Sequence, residues 1–340
     1  MDITEIQVDN YHKVLKAHDP DSGLKAIIAV HNVNRGPAVG GTRLFPYASE
    51  DDALNDVLRL SRGMTYKSAL AGIPFGGGKS VIIADKPQKT EALFKAFGRF
   101  VDTFNGGYVC AEDVNTSPAD MAIVRQETRH VLGLDGASGD PSPVTALGLL
   151  ESIRTTVNQL GLKMAELKVT VQGVGHVGAV ITRLLRDEGV TVYIADLQDD
   201  VVQALAEETG AIAIPAGEAL TNTCDILVPC AMGAVLNEET IPNLQCKAVV
   251  GAANNQLATD QDAQRLADRG ILYAPDYLVN AGGIINVFFE HEKETYDAEG
   301  ARAKVREIGD TLRKIYELSE AENILPVQAA DRIAEERFQG

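Results

Sequence analysis

The chain has 340 residues, 45% of them apolar and 23% charged, with a formal net charge of -17 at pH 7. That length exceeds one ordinary hydrophobic core and predicts two domains. The charge argues against nucleic acid or an anionic membrane as partner, and no basic stripe overrides it, so small molecules are the expected partners.

No apolar run approaches the ~20 residues needed to span a bilayer, and the opening MDITEIQVDN is acidic and lacks the regions of a signal peptide. Cys110, Cys224, Cys230 and Cys246 show neither CxxC spacing nor histidines at metal-ligand intervals. They read as reduced thiols of a cytoplasmic protein, with no metal site.

In chain order, residues 23–30, GLKAIIAV, predict a strand, and GPAVGGTR at 36–43 follows, whose Gly40 and Gly41 let a ligand or another backbone come close. Ser49 and Asp52 resemble a capping box opening a helix with Leu54, Val57, Leu58 and Ser61 on one face, which Gly63 is expected to stop. That helix would aim its C-terminus at Lys67.

The stretch 63–80, GMTYKSALAGIPFGGGKS, sets Lys67 and Lys79 on either side of a glycine run. A solvated glycine loop is one reading, and a phosphate-binding P-loop is another. The pattern GxxxxGK[ST] would require glycine where Ile73 stands, so the P-loop fails. What remains is a glycine-lined cleft holding two amines. A lysine crowded by a second cation and by Leu70, Ile73, Pro74 and Phe75 should lose affinity for its proton and serve as a base toward an anionic substrate.

Residues 81–84 read as a strand. Thr90 then opens a helix whose Leu93, Phe94, Phe97, Val101 and Phe104 form a core stripe. The strand 108–113, YVCAED, ends in two carboxylates on alternate faces, so only one of Glu112 and Asp113 can point into a given cleft.

GDPSP at 139–143 reads as a hinge, after which Thr145 is expected to cap a helix to about residue 160. The order that follows is strand (167–171), Gly173-Val174-Gly175-His176-Val177-Gly178, helix, strand (191–195) and Asp196. Strand, glycines, helix, strand and acid in this order are the dinucleotide fingerprint: backbone approaches a pyrophosphate, the helix N-terminus stabilises it, and the carboxylate binds a ribose diol. Asp196 would repel a 2'-phosphate, so NAD is preferred over NADP, and the fingerprint tolerates any residue at His176. Further βα turns at Cys230-Ala231-Met232-Gly233 and Ala252-Ala253-Asn254-Asn255 fall at carboxyl ends of expected parallel strands, which brings Ala231 and Met232 to the dinucleotide edge. From residue 298 the pattern is amphipathic helix, broken at 323–326 and expected to pack back on the first domain.

The order GPAVGGTR, GMTYK, GGGKS, AEDV, SPVTA, QGVGHVG, GAANNQ, APDYLVNAGG resembles the Glu/Leu/Phe/Val amino-acid dehydrogenase superfamily, most of all its leucine dehydrogenase branch. The resemblance implies an α/β fold: an N-terminal substrate-binding and dimerisation domain (1–138, joined by helices at about 315–340) and a Rossmann-type NAD domain (139–314), with the active site in the cleft between them. It implies that Lys67 holds the substrate carboxylate, Lys79 is the acid/base and Asp113 its relay partner. Asn254 would position substrate and nicotinamide ribose, with Asn255 open for part of that role. Thr145 would hold the nicotinamide amide, and Arg43 would lie along the cofactor.

Gly40, Gly41, Val39, Ala111, Ile284 and Val287 would line the substrate site. Val39 stands where the glutamate branch has a lysine, so the pocket should be apolar. Leucine and other branched-chain amino acids are expected, with phenylalanine or tryptophan as the alternative suggested by Phe288 and Phe289. The short C-terminus points to a homodimer where leucine dehydrogenases build octamers. A 2-hydroxy-acid dehydrogenase would leave both lysines unexplained, and a non-enzymatic NAD sensor is disfavoured because Lys67, Lys79 and Asp113 are all present.

Overall fold

The computed structural model describes residues 1–134, 139–291 and 296–339. Its first unit comprises Met1–Gly139, Val287–Asp297 and Ala334–Gly340, and its second comprises Asp140–Asn286 and Ala298–Ile333.

The first unit is built on β1 (Asp2–Glu5), β2 (Lys13–Asp19), β3 (Leu24–Asn32), β4 (Ala38–Phe45), α1 (Glu50–Ala71), β5 (Gly76–Ile83), α2 (Glu91–Asp102), β6 (Tyr108–Glu112) and α3 (Pro118–Val124). The strands form one mixed sheet in the order β1-β2-β3-β5-β4-β6, with β5 antiparallel to β3 and parallel to β4. Alternation along β3 explains the two-sided burial. Ala26, Ile28 and Val30 join the core of Phe94, Phe97, Phe100 and Val101 from α2, while Ile27 and Ala29 pack with Ala53 and Val57 of α1.

Two expectations fail here. Gly63 does not end α1: Ser49 caps the start, accepting from the Asp52 N–H at 3.1 Å, and the helix runs on to a left-handed Gly72 with φ 66°. Buried Ala53, Val57, Ser61 and Thr65 recur every fourth residue straight past Gly63, and this packed stripe outweighs the roughly 1 kcal/mol that an interior glycine costs. Lys67 therefore lies within the helix, not beyond it. The glycine run, too, is no loop, because Gly76 to Gly78 are buried residues of β5.

The second unit holds α4 (Ser142–Gln159), β7 (Lys168–Gln172), α5 (His176–Asp187), β8 (Thr191–Ala195), α6 (Asp199–Thr209), β9 (Ile212–Ala213), β10 (Ile226–Pro229), β11 (Ala248–Val249), α7 (Gln261–Asp268), β12 (Leu272–Tyr273) and α8 (Asp276–Val279). Its sheet is all parallel, ordered β12-β11-β10-β7-β8-β9, so the strand order reverses beside β7 and makes a doubly wound fold. Three more helices follow: α9 (Gly282–His291), α10 (Ala298–Glu322) and α11 (Pro326–Gln339).

The boundary expected at residue 138 falls among residues outside those described, and the last helices divide differently from expectation. α10 belongs to the second unit because it lies on α4: Thr156 and Tyr316 hydroxyls meet at 2.9 Å, and Gln159 donates to Glu320 at 2.6 Å. Of the residues from 298 onward, only 334–340 join the first unit. Thr145 does not cap α4, which starts at Ser142 after Pro141; the Thr145 N–H donates to the Pro141 carbonyl inside the first turn. Among the described residues no helix is long and apolar enough to cross a membrane.

Candidate active site

Three parallel neighbours, β5, β4 and β6, bring together residues from distant motifs. Lys79 sits in mid-strand on β5, 7% exposed, and its Nζ lies 2.6 Å from Asp113 Oδ2. Asp113 follows directly on β6, where its N–H donates to Thr116 Oγ1, which in turn donates to the Thr42 carbonyl of β4. Of the two acids, Asp113 is half-buried and Glu112 exposed, which settles the choice left open by alternation.

Gly41 of β4 is the lid over this pair. A Cβ there would stand 2.7 Å from Asp113 Cβ, 2.8 Å from the Glu112 carbonyl and 3.1 Å from Lys79 Nζ, so only glycine permits the approach. Beneath it runs a buried polar chain: Tyr108 donates to the Gly40 carbonyl at 3.0 Å, and its hydroxyl also meets Ser80, which bonds Thr42. Val39 is buried and Ala111 half-buried on the same strands. Lys67 is half-buried on α1, two residues beyond Thr65, which packs directly on Gly77 of β5.

Arg43, expected along the dinucleotide, is engaged inside the first unit. It donates to Asp56 at 2.8 Å and lies 3.5 Å from Asp113 Oδ2, and Tyr47 donates to the same Asp56 oxygen at 2.6 Å. Val287 is also in this unit, half-buried on α9, whereas Ile284 belongs to the second. Phe288 stacks edge-on against buried Phe75, with ring centroids 5.4 Å apart, and Phe289 follows at 5.1 Å.

In the second unit the fingerprint is assembled as its spacing predicts. The Gly173 N–H donates to the Ala195 carbonyl, and Val174 and Gln198 N–H groups donate to the two oxygens of Asp196 at 2.8 and 3.2 Å. α5 begins at His176 with Gly175 as a cap that offers no side chain, so its first N–H groups face outward as an anion site. Gly178 packs so tightly that a Cβ would lie 1.9 Å from the Gly173 carbonyl. A carboxylate still has lone pairs beyond its two backbone donors, and a bare helix N-terminus suits a pyrophosphate, so these residues fit a dinucleotide.

Ala231 adjoins the first glycine, with its Cβ 2.6 Å from where a Gly173 Cβ would stand. Met232 is 72% exposed next to Gly233, which lies against the Asn254 and Asn255 carbonyls. Asn254 is exposed, and its amide oxygen accepts from buried Asn280 at 2.8 Å. Thr145 abuts Gly282 of the NAGG turn, and its hydroxyl is 3.8 Å from where a Gly283 Cβ would stand. His176 and Val177 open α5, exposed and half-buried.

Comparison with known proteins agrees with this layout. Residues 11–130 match the Glu/Leu/Phe/Val dehydrogenase dimerisation domain, and residues 194–339 match the Glutamate/Leucine/Phenylalanine/Valine dehydrogenase domain. The chain belongs to this family of amino-acid dehydrogenases. It is 46% identical to the leucine dehydrogenase of Geobacillus stearothermophilus over 336 residues, covering 97% of this chain and 91% of that protein. It is 44% identical to the L-tryptophan dehydrogenase of Nostoc punctiforme over 331 residues, covering 96% and 93%. The crystal structure of the Nostoc punctiforme tryptophan enzyme superposes with a TM-score of 0.88 at 42% identity, over 97% of this chain and 96% of that one.

Electrostatics set Lys79 apart from an ordinary lysine. Burial pushes the Lys79 ammonium down; the Asp113 carboxylate opposes this, Arg43 adds to the lowering, and the net shift is below the ordinary lysine value. Arg43 is a like charge at work on Lys79. Burial also pushes the Asp113 carboxyl up, but Lys79 and then Arg43 outweigh it and hold it below the usual range. Asp113 is therefore held as an anion beside an amine whose value lies below that of an ordinary lysine.

Arg43's partners Asp56 and Tyr47, and the Tyr108–Ser80–Thr42 chain, escaped sequence reasoning. Thr42 and Ser80 were a signal: hydroxyls in the middle of strand-like runs need a buried partner.

Proposed function

We propose that this dehydrogenase carries out the NAD-dependent, reversible oxidative deamination of a hydrophobic L-amino acid to the 2-oxo acid and ammonium. The observation that carries the reading is the buried Lys79–Asp113 pair at 2.6 Å under Gly41. When bound, the nicotinamide supplies the acceptor for the α-hydrogen. Lys67 holds the substrate carboxylate by charge, fixing the α-carbon. Lys79, as the free amine, takes a proton from the water that adds to the imine carbon and returns one as ammonium leaves, and Asp113 stabilises its charged form.

Gly173, Val174, Gly175, His176, Val177 and Gly178 would cradle the pyrophosphate, with Ala231 and Met232 along the same edge. Asp196 would take the ribose diol, which favours NAD over NADP. Thr145 and Asn254 would hold the nicotinamide end.

Val39, Ala111, Ile284 and Val287 offer the side chain apolar surface, and Val39 supplies no cation for a second carboxylate. Leucine and other branched-chain substrates are the first choice. The Phe75–Phe288 edge contact supports an aromatic substrate as the second reading, and relatives bear both kinds of name. One or two methylenes in such a pocket discriminate by only about 1–3 kcal/mol. Initial rates with leucine, valine, phenylalanine, tryptophan and glutamate, each with NAD and NADP, test the assignment; glutamate or NADP leading would overturn it. The dimerisation domain supports an oligomer, taken here as a dimer, and an octamer in sedimentation would refute that.

A further inference from the structure

α1 is 22 residues long and has no basic residue in its last turn, so its C-terminal carbonyls lack the cation that usually stabilises them. One is supplied from 267 residues away. Arg337 near the end of α11 donates to the Leu70 carbonyl at 2.7 Å and to the Ala69 carbonyl at 3.0 Å.

One turn back, the Tyr66 hydroxyl donates to Glu335 at 2.6 Å and accepts from Arg62 at 2.7 Å. Phe338, 5% exposed, closes the contact with its ring 5.3 Å from that of Tyr66 and 6.3 Å from that of His31, whose Nδ1 is 2.9 Å from Thr65 Oγ1. The arrangement is reciprocal. The last carbonyls of α11 receive Arg35 and Asn34, both at 2.9 Å, from the turn that leads into β4.

Lys67 sits between Tyr66 and Ala69, the points at which α1 is held. We infer that Glu335, Arg337 and Phe338 form a brace that sets the position of Lys67, making Arg337 and Tyr66 positioning residues for recognition of the substrate carboxylate. Ser49 and Gly72 cap the two ends of this 22-residue helix but do not fix its placement on the sheet, and the brace holds the turn that carries the amine. All the residues involved belong to the first unit.

The inference rests on the reading that Lys67 grips the carboxylate, and the test separates the two. The full-length enzyme is assayed with its best amino acid, and 4-methylpentanoate serves as a dead-end carboxylate inhibitor. Lys67→Ala is the control: if it leaves the inhibitor's Ki unchanged, the carboxylate reading fails and the brace with it.

Given that control, Arg337→Ala and Tyr66→Phe should raise KM and Ki together, roughly five- to fiftyfold, short of the ~10²-fold that a 1 Å misplacement can cost. kcat and NADH affinity should hold, and Arg337→Lys should recover part of the loss. Unchanged KM and Ki in folded variants overturn the brace, as does a loss spread evenly over kcat, KM and NADH binding. If Arg337→Ala does not fold, Tyr66→Phe and Arg337→Lys decide by the same readouts.

Discussion

The two sheets put their chemistry in different places. In the first unit the candidate site is made of side chains in or beside strands: Lys79 in the middle of β5, Asp113 directly after β6 and Arg43 on β4, with glycine neighbours making the room. In the second unit the reactive surface is mostly backbone, a glycine turn and a bare helix N-terminus at strand ends, with Asp196 as the one carboxylate of the fingerprint. A site made of buried charges depends on desolvation and tenths of an ångström, while one made of backbone dipoles tolerates changes of most side chains around it. Substitutions in the first unit should therefore be severe and selective for chemistry, and those in the second mild and selective for the cofactor.

The sharpest test of that contrast is Lys79→Ala. It removes the base and leaves the Asp113 carboxylate beside Arg43, and kcat should fall by about 10²–10⁴-fold, the usual contribution of a general base. NADH affinity, read by fluorescence titration, should not change. Retained turnover would mean that another group is the base.

Gly41→Ala comes next, because its methyl would meet the Glu112 carbonyl at 2.8 Å and the backbone must give. Displacing β4 against β6 by such an amount should lower kcat about 10²-fold. Normal activity would show that the close approach at Gly41 is dispensable.

In the other sheet Asp196→Ala should be gentler. It removes a charged acceptor for the ribose, worth about 1.5–3 kcal/mol, so KM for NAD should rise roughly ten- to a hundredfold while kcat holds and NADP gains ground. A collapse of kcat instead would break the division of labour between the sheets.

These same residues show what was legible in the sequence. In the second unit the dinucleotide fingerprint could be read directly, because its signals are local: β7, the glycine turn, α5, β8 and Asp196 lie within one stretch, and short-range geometry dictates their structure. α2 was equally plain, since Leu93, Phe94, Phe97 and Val101 share one helical period and Thr90 caps it, accepting from the Leu93 N–H at 3.1 Å; Phe104 falls just past its end.

The first site was legible in membership but not in form. Glycine has low strand propensity, so nothing in GGGK announced a strand. Its reason is tertiary: Gly77 makes room for Thr65 and Gly78 for the Tyr108 ring. The continuation of α1 past Gly63 has the same origin, a stripe of small residues whose burial only the partner strand reveals. Arg43 could not be placed from spacing, because its partners Asp56 and Asp113 lie on another helix and another strand.

Arg43→Gln is the finest probe of the comparison, since it alters the field in the first unit without replacing Lys79 or Asp113. Three charges face Lys79: Asp113 after β6 and Asp56 on α1 favour its charged form, and Arg43 on β4 disfavours it. Removing Arg43 deletes a charge that helps burial lower the Lys79 value. The fraction of free amine at a given pH then falls, and the rising limb of the kcat/KM profile moves to higher pH.

Stability follows with a definite sign. Between the lowered folded value of Lys79 and its ordinary value near ~10.4, the unfolded chain binds more protons, so the unfolding free energy climbs with pH across that window. In Arg43→Gln the window narrows from below and the climb should shrink, which urea unfolding at a series of pH values measures. A limb that moves to lower pH, or a climb that grows, would mean that Arg43 acts on Lys79 mainly by holding Asp113 in place. The first site would then be governed, like the second, by geometry more than by charge.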